Sequence, residues 1–244
     1  MRALQYAITT EQLTRTFDGV YAVRDLDLAI PPGELFVFLG PNGAGKSTTL
    51  RLLACLLYPT SGRATVWGHD VPQDALQIKA IMGYLPEWPQ LYEKLTAREF
   101  LHFVADLRKM DGRQRRVRMD YFLQLFEMAD KADDLIETYS RGMRQKIAIS
   151  AVLLHDPKIA FLDEPTNGLD PKGARIVKDL LRDLCDRGGA VFMTTHILDV
   201  AEKMCDRVGI IKDAELIAVG ELDALRKQTQ RGGSLEDIFL ELTE

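Results

Sequence analysis

Gly40-Pro41-Asn42-Gly43-Ala44-Gly45-Lys46-Ser47 follows directly on the apolar run Glu34 to Leu39 (ELFVFL). No other junction in the chain limits the possible folds as strongly. The apolar run is the pattern of a central strand covered on both faces. The octapeptide satisfies G-x-x-x-x-G-K-[ST], a turn whose glycines let backbone N–H groups close around phosphates at the start of a helix. Lys46 is spaced to reach the β- and γ-phosphates, Ser47 to offer its hydroxyl to Mg²⁺, and Thr48 to offer a second hydroxyl to phosphate. Nucleoside triphosphate binding is the expectation. Kinases, GTPases and ATPases share this loop, so other residues must decide among them.

The chain has 244 residues, of which 46% are hydrophobic and 27% charged, enough to bury a full core and to exclude intrinsic disorder. It reads as one domain over residues 1–244, or one with a satellite. Cys55, Cys185 and Cys205 are scattered, odd in number and without metal-ligand spacing, which argues for buried thiols in a reducing compartment. No apolar run approaches the roughly 18 residues that cross a bilayer, and MRALQYAITTEQLTR lacks the apolar stretch of a secretory signal. With 31 basic against 36 acidic residues the net charge is −5, the wrong sign for broad affinity to a phosphate backbone, so no nucleic-acid partner is expected.

The predicted fold class is α/β: a core with a mostly parallel sheet, an N-terminal antiparallel β subdomain and an inserted helical subdomain. Residues 1–30 are assigned to the β subdomain, with Leu26, Leu28 and Ile30 alternating against Asp25, Asp27 and Ala29. Residues 31–85 and 155–220 are assigned to the core, 88–154 to the helical insert and 221–244 to C-terminal helices. In the insert, Phe100, Leu101, Phe103, Val104 and Leu107 are predicted to share a helix face behind a Thr96/Glu99 capping box, and Val117 to Met128 reads as a second helix. Ile147–Leu154 and Ile176–Cys185 read as further helices, and Ile159–Leu162 and Ala190–Thr194 as strands. Val208–Ile211 and Leu216–Val219 read as a terminal hairpin, and Ser234 with Asp237 as a cap for the last helix. The basic cluster Arg108, Lys109, Arg113, Arg115, Arg116 and Arg118 is expected to be a solvated face balanced by Asp130, Asp133, Asp134 and Glu137.

Ile159-Ala160-Phe161-Leu162 ends in Asp163-Glu164, two acids at the carboxyl edge of a buried strand, where open α/β sheets put their ligands. Strand periodicity points them apart, so Asp163 is assigned to the metal and Glu164 to polarising an attacking water. His196, just past the strand AVFMTT, projects from the same edge and can hydrogen-bond the γ-phosphate or the water. His69, His102 and His155 lack such a context and are read as surface or packing residues.

Taken together, the phosphate loop, the Asp163-Glu164 pair, Asn167-Gly168-Leu169-Asp170 and His196 resemble the nucleotide-binding subunit of ATP-binding cassette (ABC) transporters over nearly the whole chain. The family's LSGGQ signature is represented by Tyr139-Ser140-Arg141-Gly142-Met143, where Ser140 and Gly142 fit and Tyr139, Arg141 and Met143 depart. Exporter-type members look similar here and at the end SLEDIFLEL.

The resemblance implies a P-loop ATPase using ATP and Mg²⁺, with Lys46, Glu164 and His196 catalytic. Gly40, Pro41, Asn42, Gly43, Ala44, Gly45, Lys46, Ser47 and Thr48 would hold the phosphates. Ser140, Gly142 and Asp170 would meet a nucleotide held by a second, head-to-tail subunit, Ser140 alone reading as a plain helix cap. Phe17 matches the aromatic that stacks on adenine, with core packing as the alternative. Glu87 stands where the family usually has a glutamine at Mg²⁺; it is either a metal ligand or a surface acid. Trp88, Leu91 and Tyr92 would face a separate membrane permease, which places the protein in the cytoplasm, peripheral to the cytoplasmic membrane face. A cassette ATPase acting on DNA or ribosomes is the alternative. The former needs a long coiled coil and the latter two fused cassettes, and the chain has neither. A GTPase lacks its N-K-x-D motif here, and a kinase would leave the signature and His196 without a role.

Overall fold

The computed structural model describes residues 5–228 and 235–243. Strands β1 (Ile8–Phe17) and β2 (Val20–Ile30) form an antiparallel hairpin. Along β2, Leu26, Leu28 and Ile30 are buried while Asp25 and Asp27 face water, the expected alternation. Strand β3 (Leu35–Leu39) and helix α1 (Lys46–Leu53) then enter the core. The chain next returns to the first sheet with β4 (Ser61–Val66) and β5 (His69–Val71), giving the order β2-β1-β4-β5. Grouping all of residues 31–85 with the core is therefore corrected. The free edge of β1 takes β4 as its partner, and alternate residues Ala64 and Val66 bury with Ile8 and Leu13.

Helix α2 (Ala75–Ile81) leads into β6 (Met82–Leu85). Helices α3 (Ala97–Leu107), α4 (Gly112–Leu125) and α5 (Arg141–Leu153) form the insert. The core resumes with β7 (Ile159–Asp163), α6 (Pro171–Asp186), β8 (Ala190–Thr195), α7 (Leu198–Met204), β9 (Arg207–Lys212) and β10 (Glu215–Gly220). Helices α8 (Leu222–Gln228) and α9 (Leu235–Thr243) follow; the Ser234 cap lies outside the described residues. The second sheet has the order β10-β9-β3-β8-β7-β6, parallel except for the β9/β10 hairpin.

Because side chains alternate along a strand, β3 feeds two cores. Leu35, Val37 and Leu39 join the cluster shared with the insert and α6, whereas Phe36 and Phe38 join the one beneath the antiparallel sheet. Phe192 of β8 anchors the latter, 5.5 Å from the ring centres of both Phe36 and Phe38 and 6.3 Å from that of Phe161.

The capping box is formed in full: Thr96 Oγ1 accepts from the Glu99 amide, and the Glu99 carboxylate accepts from the Thr96 amide. The helix face is narrower than expected. Phe100, Leu101 and Ala105 are buried, while Phe103 turns outward to meet the edge of Tyr92 and Leu107 is exposed. The second insert helix begins earlier than Val117, at the Asp111 cap.

The basic cluster is not one solvated face. Arg108 donates to the Lys79 and Met82 carbonyls, and Arg118 to those of Leu153 and Leu154 at the end of α5. Asp133, Asp134 and Glu137 instead pair with Arg98, Lys131 and Lys94. Of the thiols, only Cys185 is fully buried; Cys55 and Cys205 are half-buried. Among the described residues no helix is long and apolar enough to cross a membrane.

His155 is a packing histidine: Nε2 bonds the Met82 carbonyl at 3.1 Å and Nδ1 is buried without a partner. Burial, with help from the charges of Arg108 and Arg118, pushes its pKa down to about 4 against the opposing effects of the Met82 bond and Asp156. The unfolded chain then binds a proton that the native ring refuses. This contribution to stability is complete above about pH 6.5 and declines as the pH falls towards 4. In urea titrations between pH 7 and pH 4, His155→Gln is expected to lose less stability than the wild type; parallel slopes for the two proteins would contradict this.

Candidate functional site

The carboxyl ends of β3, β8 and β7 open onto a cleft of about 370 Å³ lined by Asn42, Gly43, Gly45, Lys46, Ser47, Thr48, Glu87, Asp163, Glu164 and His196. The loop after β3 makes one wall. At Gly45 φ is +111°, and a Cβ there would sit 2.2 Å from the Ala22 carbonyl oxygen, so only glycine fits the residue before α1. Helix α1 starts at Lys46, and its first residues Lys46, Ser47 and Thr48 line the cleft, an arrangement suited to an anion. Lys46 Nζ donates to the carbonyls of Gly40 and Pro41 at 2.7 and 3.0 Å. Burial lowers its pKa, while Glu164, Asp163 and Glu87 oppose that shift.

Strand register builds the opposite wall. Asp163 pairs with Thr194 across β7 and β8, and the Thr194 hydroxyl donates to Asp163 Oδ1. One residue further, the chain turns: Glu164 has φ +49° and its amide donates to the Thr194 carbonyl at 3.1 Å. This turn sends Glu164 away from Asp163. Its carboxylate accepts from Thr195 Oγ1 at 2.9 Å through Oε2 and contacts His196 Nδ1 at 2.7 Å through Oε1. An ionised carboxylate requires a proton on that Nδ1. The Glu164 side chain is 6% exposed and that of His196 56%. A buried, oriented carboxylate thus sits beside a solvent-facing imidazole, the geometry of a water-activating base with a partner.

The other sequence-predicted residues lie outside this cleft. Gly40 and Pro41 offer their carbonyls to Lys46, and Ala44 is buried in the core beneath the antiparallel sheet. Phe17, at the end of β1, is 42% exposed, so core packing is ruled out; the Arg15 guanidinium covers one face of its ring at 4.4 Å. Ser140 caps α5, its Oγ accepting from the Met143 amide at 3.3 Å. Gly142 lets that helix press on the next turn of chain, since a Cβ there would lie 2.8 Å from the Gly168 carbonyl oxygen. Asp170 caps α6 through the Gly173 amide at 3.2 Å and lies 3.9 Å from Lys146 Nζ. Within one protomer Ser140, Gly142 and Asp170 do not join the phosphate loop.

Three residues escaped the sequence reading. Thr194 and Thr195 orient the two acids; their signal was a threonine pair at a strand end facing an acid pair. Gln145, buried in α5, donates from Nε2 to the Pro165 carbonyl at 2.9 Å, tying the signature helix to the turn after Glu164. Flanked by Arg144 and Lys146, it carried no signal in the sequence. Among the described residues no group of three or more His, Cys, Asp or Glu could hold a metal ion alone.

The sequence model of the family described as ABC transporter matches residues 23–167. The chain is 37% identical to the daunorubicin resistance ATP-binding protein DrrA3 of Streptomyces coeruleorubidus, over 96% of this chain and 73% of that protein. It is 39% identical to the daunorubicin/doxorubicin resistance ATP-binding protein DrrA of Streptomyces peucetius, over 90% of this chain and 67% of that one. Among solved structures, an ATP-binding subunit of an ABC transporter aligns with a TM-score of 0.92 at 29% identity, covering 98% of this chain and all of that one. The ATP-binding cassette MJ0796, a dimer in a post-hydrolysis state bound to ADP and Pi, aligns at 0.81 and 28%, covering 88% and 98%.

Gln145→Leu leaves the buried Pro165 carbonyl without its donor, a loss of about 1–3 kcal/mol. Urea denaturation should show a midpoint lowered accordingly at unchanged m-value; an unshifted midpoint would show that the bond carries nothing.

Proposed function

The chain belongs to the ABC transporter family as an ATP-binding subunit, and from the cleft we propose that ATP hydrolysis there drives export through a separately encoded permease. The observation that carries this reading is Glu164, buried, turned away from Asp163, and held between Thr195 and His196 beside the phosphate loop. A hydrolase needs one acid for the cation and another for the nucleophile; the two threonines support that division.

In this reading the loop from Gly40 to Thr48 wraps the triphosphate, and Lys46 exchanges its two carbonyl partners for β- and γ-phosphate oxygens. Glu164 takes the proton of the attacking water, and His196 holds the water or the γ-phosphate. The site also suits Mg²⁺. Three carboxylates against one ammonium would repel a triphosphate, and the Ser47 hydroxyl and Asp163 are hard oxygen donors, with Glu87 available as a third. A bound Mg²⁺ would neutralise charge on the phosphates. Phe17 presents its free ring face to adenine, and Ser140 and Gly142 at the start of α5 suit the γ-phosphate on a second copy of the chain. One complete set of motifs permits a homodimer, and the dimeric cassette among the structural relatives supports pairing. Trp88, Leu91 and Tyr92 are the proposed permease contacts, which sets the protein on the cytoplasmic face of a membrane. The names of the daunorubicin resistance relatives support a drug-exporting direction.

Glu164→Gln keeps the shape and removes the base. Its turnover should fall by about 10²-fold or more, and an ATP-bound dimer should accumulate on size-exclusion chromatography. Turnover near the wild-type rate would remove Glu164 from its role. Lys46→Ala should weaken ATP binding itself, measured by equilibrium titration, by about tenfold or more from the lost charge-assisted bonds.

A further inference from the structure

Arg141 departs from the signature pattern, and nothing in the proposed chemistry uses it. Its guanidinium carbon lies 4.6 Å from the ring centre of Trp88, in the segment that follows β6. Its stem runs along Gly168: the arginine Cγ, Cδ and Nε lie 3.1–3.2 Å from where a Cβ on that glycine would be. One side chain thus links three separate pieces of chain, its own and two others. These are the first turn of α5, the segment carrying Glu87 and Trp88, and the turn that follows Asp163-Glu164. A cavity of about 530 Å³ is lined by Glu87, Trp88 and Leu91 together with Tyr139 and Arg144; Arg144 of α5 pairs with Glu93 farther along the segment, so Arg141 holds its Trp88 end and Arg144 its far end. Trp88 is 59% exposed, and a cation over its face is a contact that helps to retain it.

We infer that Arg141 is a positioning residue: it clasps Trp88 to the start of α5 and so keeps the adjacent Glu87 at the nucleotide cleft. The functional arm of this inference rests on the ATPase reading above; the structural arm does not. If only the clasped arrangement binds nucleotide well, the apparent dissociation constant scales inversely with the clasped fraction. An exposed cation–π contact shifts such an equilibrium about two- to fivefold.

The test uses the full chain with Trp67→Phe, which leaves Trp88 as the only tryptophan. Arg141→Ala is expected to change the Trp88 emission and raise its acrylamide quenching constant, with Arg141→Lys intermediate because it keeps a cation and loses the planar group. In the protein with Trp67 intact, Arg141→Ala and Trp88→Ala should each raise KM for ATP, by at most about fivefold, with kcat preserved. The double variant should be no worse than either single one, and Trp88→Phe, which keeps a π-face, should restore KM. Unchanged Trp88 emission and quenching in Arg141→Ala would overturn the clasp. Multiplying effects in the double variant, or loss confined to kcat, would overturn its positioning role. A wild-type chain without ATPase activity would instead defeat the functional reading and leave the fluorescence result standing.

Discussion

Leu39, Thr195 and Asp163 end three neighbouring parallel strands within one residue of register, Leu39 opposite Thr195 and Asp163 opposite Thr194. That alignment fixes the depth at which the phosphate loop, the acid pair and His196 emerge. A slip of one residue between β7 and β8 would reverse the faces. Asp163 would lose the Thr194 hydroxyl and Glu164 the Thr195 hydroxyl, and the carboxylates would be buried without donors. The strands hold this register because the rings of Phe36, Phe38, Phe161 and Phe192 pack on one face and smaller aliphatic residues on the other. The same aromatic core that stabilises the sheet therefore sets the positions of the groups that line the cleft.

The electrostatics of the cleft follow from that placement. Glu87, Asp163 and Glu164 line a corner in which Lys46 is the cation facing them, and burial makes its charge costly. An acidic cleft with a buried lysine is poorly balanced by itself. In the proposed reading a polyanion bringing its own cation would complete it, so that a loop rich in N–H donors and a strand end rich in carboxylates can share one cavity.

Much of this was legible in the sequence, and for physical reasons. Buried parallel strands read as apolar runs, so ELFVFL and IAFL marked β3 and β7, and the chemistry at their ends could be numbered directly. Caps at Thr96 and Ser140 were legible because capping is local. What stayed hidden depends on distant partners. The return of Ser61–Val66 to the first sheet is set by the free edge of β1, more than forty residues earlier in the chain. Arg108 and Arg118 looked like surface charge because carbonyl acceptors leave no trace in composition. Phe103 was placed on the buried face because helical spacing defines an apolar arc and not what covers its margin. The roles of Thr194, Thr195 and Gln145 emerge only when two strand ends, or a helix and a turn, are brought into contact.

Ser140 spends one lone pair of its hydroxyl on the Met143 amide, which leaves its proton and a second lone pair uncommitted. Closing a helix end and greeting an incoming anion therefore make no competing demands on that oxygen. Alanine there would forfeit both at once, whereas threonine could keep both if its methyl found room. In the proposed dimer the Ser140 hydroxyl would thus join the folding of one chain to the recognition of another.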